Sequence, residues 1–324
     1  MEKPFSNKMK PIGGYLELQF LSGQEYYPHL TRLNNGRNAL EYILKVKKYT
    51  MAYIPYFICG VILEPLKKLR IPYEFYTIDD KLDPILDFIV GPTECFLYTN
   101  YFGLKQDTVL SLSRQYQNLI IDNSQAFFSN PLDKIDTFYS CRKFFGVPDG
   151  AYLHTPSPTK LKYEKDHSFN RISHLTKSID LGIESGYQDF LDNNKALSNQ
   201  PILKMSNLTQ KILQGIDYKE CKYRRDSNFM YLHDFLVKYN DFTFDVSSIN
   251  GALGYPFVHS SSLIRAKLLE KRIYIPIYWP NVFDWTTKKM YENYLSAHLM
   301  CLPIDHRYTH TDMKRMINVL KKLL

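Results

Sequence analysis

Lys143 is the side chain here best placed to do covalent chemistry. It lies in Ser140-Cys-Arg-Lys143-Phe-Phe-Gly146-Val-Pro-Asp149-Gly150, between a serine-bearing turn and a Gly/Pro segment, and it suits no helix face. An amine held partly out of water gives up its proton more readily and can attack a carbonyl. The same lysine also reads as an ordinary solvated one. Asp122 ends the apolar run Leu119-Ile-Ile-Asp122. A carboxylate at the carboxyl end of a buried strand is costly to desolvate, so it either meets a cationic group or caps the next turn. In Asn34-Asn-Gly36-Arg37-Asn38-Ala-Leu40 a glycine stands just before a helix. There the backbone N–H groups of Arg37 and Asn38 point at an incoming anion, or Asn34 or Asn35 caps the helix and nothing more. Tyr56 and Phe57 follow Pro55 past a strand end, where a ring could lie on a ligand ring or pack in the core.

Positioning these residues requires strands alternating with helices, and the pattern predicts that. Asn38–Lys48 reads as an amphipathic helix, Tyr49–Ile54 as a strand, Val61–Leu69 as a helix and Tyr73–Ile78 as a strand. Cys95–Thr99 is a strand, Thr108–Gln117 a helix, Asn118–Asp122 a strand, and Gly150–His154 another. Apolar strands between helices predict an α/β fold with a mostly parallel sheet covered on both faces. Residues 155–170 and 192–201 are polar and read as loops, before a helical region from Asn207 to about Lys238. Short strands are expected at Ile273–Ile277 and Leu299–Leu302, and Thr309-His-Thr-Asp312 announces a final helix with a capping box. The layout predicts a large domain over 1–212 and a smaller α+β domain over 213–324.

Composition narrows the class. The 324 residues carry 41 Lys plus Arg and 33 Asp plus Glu, a net +8, with 44% hydrophobic and 23% charged residues, so a disordered or collagen-like chain is excluded. The basic residues are dispersed and accompany no recognition motif, which disfavours nucleic acid and favours anionic small molecules. No apolar run reaches the roughly 18 residues of a membrane span, and Met1–Lys8 lacks the apolar core of a secretory signal. A cytoplasmic protein is expected. Its five cysteines are scattered without a C-x-x-C pair, so reduced thiols are the expectation. His306 and His310 have metal-like spacing but no accompanying zincin glutamate, and no metal is expected.

The order of these features resembles the fold-type I pyridoxal-phosphate enzymes, and within them the DegT/DnrJ/EryC1/StrS sugar aminotransferases. Ile12-Gly13-Gly14 and Gly36-Arg-Asn-Ala-Leu40 are similar to that family's opening and its Gly-Thr-x-Ala-Leu turn. Pro55-Tyr-Phe, Tyr76-Thr-Ile-Asp79, Lys204-Met205-Ser206 and Cys301-Leu-Pro303-Ile resemble further family segments in the same order. The chain departs from the pattern at Arg37, at Phe138, and at Ile202, where the family supplies an asparagine across the dimer.

The resemblance implies a large domain with a mostly parallel sheet and a small C-terminal domain. It implies pyridoxal 5'-phosphate bound to Lys143, with Asp122 on the pyridinium nitrogen and Gln125 beside the cofactor. Ser140 and the Gly36, Arg37 and Asn38 amides would hold the phosphate, and Tyr56 or Phe57 would stack on the ring. The implied activity moves an amino group from an amino acid such as glutamate to a nucleotide-linked keto sugar, in a homodimer, for polysaccharide or glycan synthesis. A lyase or decarboxylase, or a non-catalytic regulator on the same fold, would share the cofactor residues.

Overall fold

The computed structural model describes residues 12–261 and 263–324. Met1–Lys8, read above for a secretory signal, lies outside the described residues. The chain begins with β1 (Thr31–Leu33), α1 (Gly36–Lys47), β2 (Met51–Pro55), α2 (Leu63–Leu69), β3 (Tyr73–Ile78) and β4 (Pro84–Ile85). It continues with β5 (Glu94–Thr99), α3 (Gln106–Gln115), β6 (Leu119–Asp122), β7 (Asp136–Ser140) and β8 (Ala151–His154). Then come α4 (Ser173–Asp180), α5 (Tyr187–Ala196), α6 (Asn207–Gln214) and α7 (Tyr218–Leu236). The remainder holds β9 (Tyr255–Val258), α8 (Leu263–Glu270), α9 (Pro280–Trp285), α10 (Tyr291–His298), β10 (Leu299–Leu302) and α11 (His310–Leu320).

Eight strands form one sheet in the order β1-β8-β7-β6-β5-β2-β3-β4. The central strands β3, β2, β5, β6 and β7 run parallel, whereas β8 is antiparallel to both β7 and β1. The central strands are apolar on both faces because each face is covered. On one side Leu40, Ile43 and Leu44 of α1 and Leu66 of α2 pack against Ala52, Ile54, Cys95, Leu97 and Ile120. On the other, Val109 and Leu112 of α3 pack with Tyr76, Phe96, Tyr98 and Ile121. A separate core joins α7, α8 and α11 to β9 and β10 through Phe229, Leu232, Phe257, Leu268, Leu302 and Met316. Among the described residues no helix is long and apolar enough to cross a membrane.

Some expectations need correction. No strand forms at 273–277, where the guanidinium of Arg265 takes the carbonyls of Ile275 and Pro276 that a ladder would have used. The polar stretch from residue 192 is not all loop, since α5 runs through it to Ala196. β7 and β9 were not anticipated. β7 begins with a buried Asp136 that pairs with Lys47, and that charge breaks the apolar pattern by which strands are read. The capping box of α11 forms as expected at Thr309 and Asp312.

Candidate active site

Parallel strands present their carboxyl ends along one edge of a sheet, and ligands of open α/β folds settle in the crevice outside that edge. Here β5 ends at Thr99 and β6 at Asp122, paired in register, while Asp122 also pairs with Phe138 of β7. Beyond β7 the chain makes a single tight turn over Cys141–Lys143. The expected carboxylate and the expected amine therefore lie at the ends of adjacent strands.

Asp122 is 6% exposed, and its Oδ1 accepts the backbone N–H of Ser124 at 2.8 Å. Burial pushes its carboxyl group up from the usual range, and the charge of Lys143 and the Ser124 hydrogen bonds pull part of the way back. Lys143 donates from Nζ to Ser124 Oγ at 3.1 Å. Ser124 thus bridges the two, which makes it a site residue that sequence reasoning missed. Its signal was the Asp-x-Ser spacing of an Asx turn, in which the carboxylate accepts from the backbone two residues on. Gln125 is fully buried, with Oε1 accepting from Phe102 N at 2.9 Å. Its Nε2 has no acceptor among the described residues. A buried amide donor left unpaired costs about 1–3 kcal/mol, so it marks a place for a ligand acceptor.

Backbone bonds from several elements fix the lysine turn. Cys141 N donates to Gly150 O at 3.1 Å, and Gly150 N donates to Asn34 O at 2.6 Å. The second bond ties the lysine turn directly to the turn that starts α1. Gly150 has φ +115, and a Cβ there would meet Thr209 Cγ2 at 2.9 Å, so the close approach requires glycine. The neighbouring Asp149 is fully buried and accepts from Ser206 N at 2.8 Å, Ser206 Oγ at 2.7 Å and the Thr209 hydroxyl. That network also positions Ser206, which caps α6 through a bond to Thr209 N. From α7, the buried Arg225 reaches the Phe144 carbonyl at 3.4 Å and lies 4.6 Å from the Phe144 ring centroid.

The start of α1 is only partly as expected. Asn35 is the cap, and its Oδ1 takes the N–H of Asn38 at 2.9 Å, so that amide does not face an anion. Those of Gly36 and Arg37 occupy the first-turn positions that a capping side chain leaves open. The Asn38 side chain is spent on the Pro201 carbonyl. Arg37 turns its guanidinium to Glu64 at 2.8 Å and Ser198 at 3.0 Å. Gly36 does not adopt a positive φ, and a Cβ there would touch Phe138 at an ordinary 3.8 Å. Ser140 is half-buried at the end of β7 and caps nothing in the turn that follows.

The structure removes Phe57 from the aromatic expectation, while Tyr56 remains half-buried. Phe57 is fully buried, packed on Tyr101 and Trp279, and Tyr56 stacks on Phe75 with centroids 4.7 Å apart. Both rings already have protein partners, because β2 is central and its end is roofed by α9. Ile202 is likewise core, packed with the α1 side of the sheet.

No family model and no curated protein sequence matches the chain. Solved structures do match. A DegT DnrJ EryC1 StrS aminotransferase from Brucella abortus shares 14% identity over 91% of this chain and 86% of that one, with a TM-score of 0.60. NtdA from Bacillus subtilis, crystallised with bound PMP, shares 14% identity over 90% of this chain and 73% of its own, with a TM-score of 0.62. DesI, crystallised in the presence of its TDP-sugar product, shares 12% identity over 90% of this chain and 79% of its own, with a TM-score of 0.61. The chain has the fold of these aminotransferases: a mostly parallel eight-stranded sheet between helices, followed by a smaller α/β region.

Proposed function

We propose that the protein is a pyridoxal-phosphate-dependent sugar aminotransferase of the DegT/DnrJ/EryC1/StrS kind. The observation that carries this reading is the convergence of Asp122, the unpaired amide of Gln125 and Lys143 at the carboxyl ends of β6 and β7. These residues fit the cofactor. Asp122 is a carboxylate whose ionised form burial disfavours, and a protonated ring nitrogen is the partner that would restore its charge. The Gln125 Nε2 donor awaits an acceptor such as a cofactor oxygen, and the open amides at the start of α1 suit a phosphate. Fold likeness to NtdA and DesI, and the motif order along the chain, support the same assignment.

When bound, the cofactor would supply the electron sink for the carbanion formed at the donor's α-carbon. Lys143 Nζ would hold the cofactor by its carbonyl carbon. Released by the incoming amino donor, the same nitrogen would carry the proton off the donor's α-carbon. Asp122 would keep the ring nitrogen protonated, and Ser124, bonded to both Asp122 and Lys143, would orient the amine between these tasks. We assign the amino donor to amino acids such as glutamate and the acceptor to nucleotide-linked keto sugars, in a cytoplasmic homodimer serving polysaccharide or glycan synthesis. We also shift the domain boundary from residue 212, which lies inside α6, to the turn 215–217 between α6 and α7.

An absorption spectrum of the purified chain with added pyridoxal phosphate tests the assignment. A visible band should form, glutamate should bleach it, and borohydride should fix the cofactor to the peptide bearing Lys143. Lys143→Ala should lose the fixed adduct and at least three orders of magnitude of turnover while remaining folded. A variant that still forms the adduct and turns over would refute the lysine assignment. Ping-pong kinetics with an isolable half-reaction would separate transamination from lyase or decarboxylase chemistry.

A further inference from the structure

Arg225 sits in the middle of α7 with its whole side chain buried. Among the described residues no carboxylate pairs with it: Asp305 is bound to Arg307 at 2.7 Å, and the adjacent Asp226 accepts from Gly251 N at 2.6 Å. Its guanidinium goes instead to backbone carbonyls on two segments. Nη1 donates to Ala252 O at 3.1 Å and Leu253 O at 3.2 Å. Nη2 reaches Phe144 O at 3.4 Å, and the guanidinium carbon lies 4.6 Å from the Phe144 ring centroid. A buried cation without a counter-ion is costly, and a hydrophobic residue of similar volume often serves stability as well or better. What arginine adds is a planar fork that holds two segments at a fixed angle. Both segments lead into the candidate site.

Phe144 directly follows Lys143, and its N–H closes the lysine turn on Cys141 O at 3.0 Å, so a hold on its carbonyl fixes the exit of that turn. From the other segment, Leu253 N donates to Phe102 O at 2.9 Å, and Phe102 N donates to Gln125 Oε1 at 2.9 Å. An amide whose oxygen accepts that bond must turn its Nε2 donor the other way. Phe102 is a bulky residue at φ +56, in the left-handed region that such residues seldom enter. That conformation persists only where its surroundings hold it, and the bond from Leu253 is one restraint. Gly251 belongs to the same grip, since a Cβ at its φ of +65 would run into the Phe128 ring. Asp226 and Arg225 of α7 thus hold 251–253, and Leu253 holds the turn after β5.

We infer that Arg225, on α7 outside the candidate site, is a positioning residue: it sets the exit of the lysine turn through Phe144 and the orientation of the Gln125 amide through Leu253 and Phe102. Its effect on turnover rests on the cofactor assignment of Lys143 and Gln125, whereas the hydrogen-bond relay itself does not. Displacing a reacting group by about 1 Å can cost about a hundredfold in rate, so a buried residue can govern turnover without touching substrate.

Arg225→Met and Arg225→Lys test the inference, with Leu232→Ala as a control that opens a cavity on the buried face of the same helix. In cofactor-free protein, amide hydrogen exchange at Phe102 and Leu253 should quicken about tenfold or more relative to the amides of β6 in Arg225→Met, and keep pace with them in Leu232→Ala. With pyridoxal phosphate bound, the visible circular dichroism per cofactor should fall by about half or more in Arg225→Met. Its kcat should fall about tenfold or more while KM for glutamate stays within about threefold. Arg225→Lys, a single point donor, should lie between native and methionine on each measure, and it carries the test if the methionine variant does not fold. Leu232→Ala should lower the melting temperature and keep the dichroism and kcat. Native exchange, dichroism and kcat in either arginine variant, or the same changes in Leu232→Ala, would overturn the inference. Quickened exchange with native dichroism and kcat would also overturn it, by reducing Arg225 to a structural tie. A native chain that forms no visible band would refute the aminotransferase reading instead, and the exchange rates would then decide the relay on their own.

Discussion

Asp122 illustrates how a residue kept for chemistry weighs on stability. Its carboxyl pKa is raised in the folded protein chiefly by burial. A raised carboxyl pKa means the fold favours the protonated form, so its contribution is fully present below the ordinary carboxylate range of about 4 and is lost as pH rises through the folded value. Asp122→Asn removes the buried charge and keeps an oxygen to accept from Ser124 N. The cofactor-free variant should therefore melt higher than the native chain at pH 7–8, and the gap should close as the pH falls toward about 4. With cofactor, its turnover should drop by orders of magnitude, because the ring nitrogen loses its charged partner. Thermal melts across pH on cofactor-free protein, paired with turnover, check both halves. A lower melting temperature at neutral pH would show that the carboxylate is structurally satisfied and not held in reserve.

At the scale of elements, α1 does two jobs from one end. Asn35 ends the helix conventionally, and the first two amides remain for an anion. Gly36 separates the two functions experimentally. A Cβ there would meet only the Phe138 ring, at an ordinary 3.8 Å, so Gly36→Val should change cofactor-free stability by about 1 kcal/mol or less. The methyls would nevertheless stand over the open amides, and cofactor affinity should fall at least tenfold. Melting temperature and pyridoxal-phosphate titration of the same preparation separate these effects. Unaltered affinity would remove the start of α1 from the site. The link from Asn34 O to Gly150 N makes this turn and the lysine turn one mechanical unit, so distortion in either should reach both.

Among the exposed apolar side chains of the molecule, two groups lie close together along the chain. One is the extended segment bearing Ile12, Tyr15, Leu16 and Leu18, and the other is around α4, at Ile179 and Leu181. Clustered exposed apolar side chains of this sort are candidate association sites. Lys143 is itself exposed, so a second chain could cover the reactive edge. Light scattering should give about twice the 38.2 kDa of one chain. The double substitution Ile179→Asp with Leu181→Asp should weaken self-association at least a hundredfold. A fully active monomer at assay concentration would contradict this arrangement. Arg225, fully buried, adds a tie of another kind, since it joins α7 to the Phe144 carbonyl and to the carbonyls of Ala252 and Leu253.

Local physics made part of this protein readable from its residues. The apolar strands β2, β3, β5 and β6, the amphipathic α1, the capping box of α11 and the strand-end position of Asp122 all follow from patterns a few residues long. Lys143 was singled out because its setting between a serine turn and a Gly/Pro segment is local too, whereas Gln125 entered only through the family resemblance. What side chains do with their neighbours was not legible. Phe57 fits a stacking role by type, and only the packing of Tyr101 and Trp279 against it decided otherwise. Asn38 read as offering its amide to an anion until the side chain of Asn35 took it as the helix cap. The 273–277 segment had strand-forming residues, but a side chain on α8 took its carbonyls. Arg225 drew no notice within a helical stretch. Its hold on the lysine turn appears only once α7 is folded against it, because its acceptors on Leu253 and Phe144 lie 28 and 81 residues away and no local pattern reaches that far.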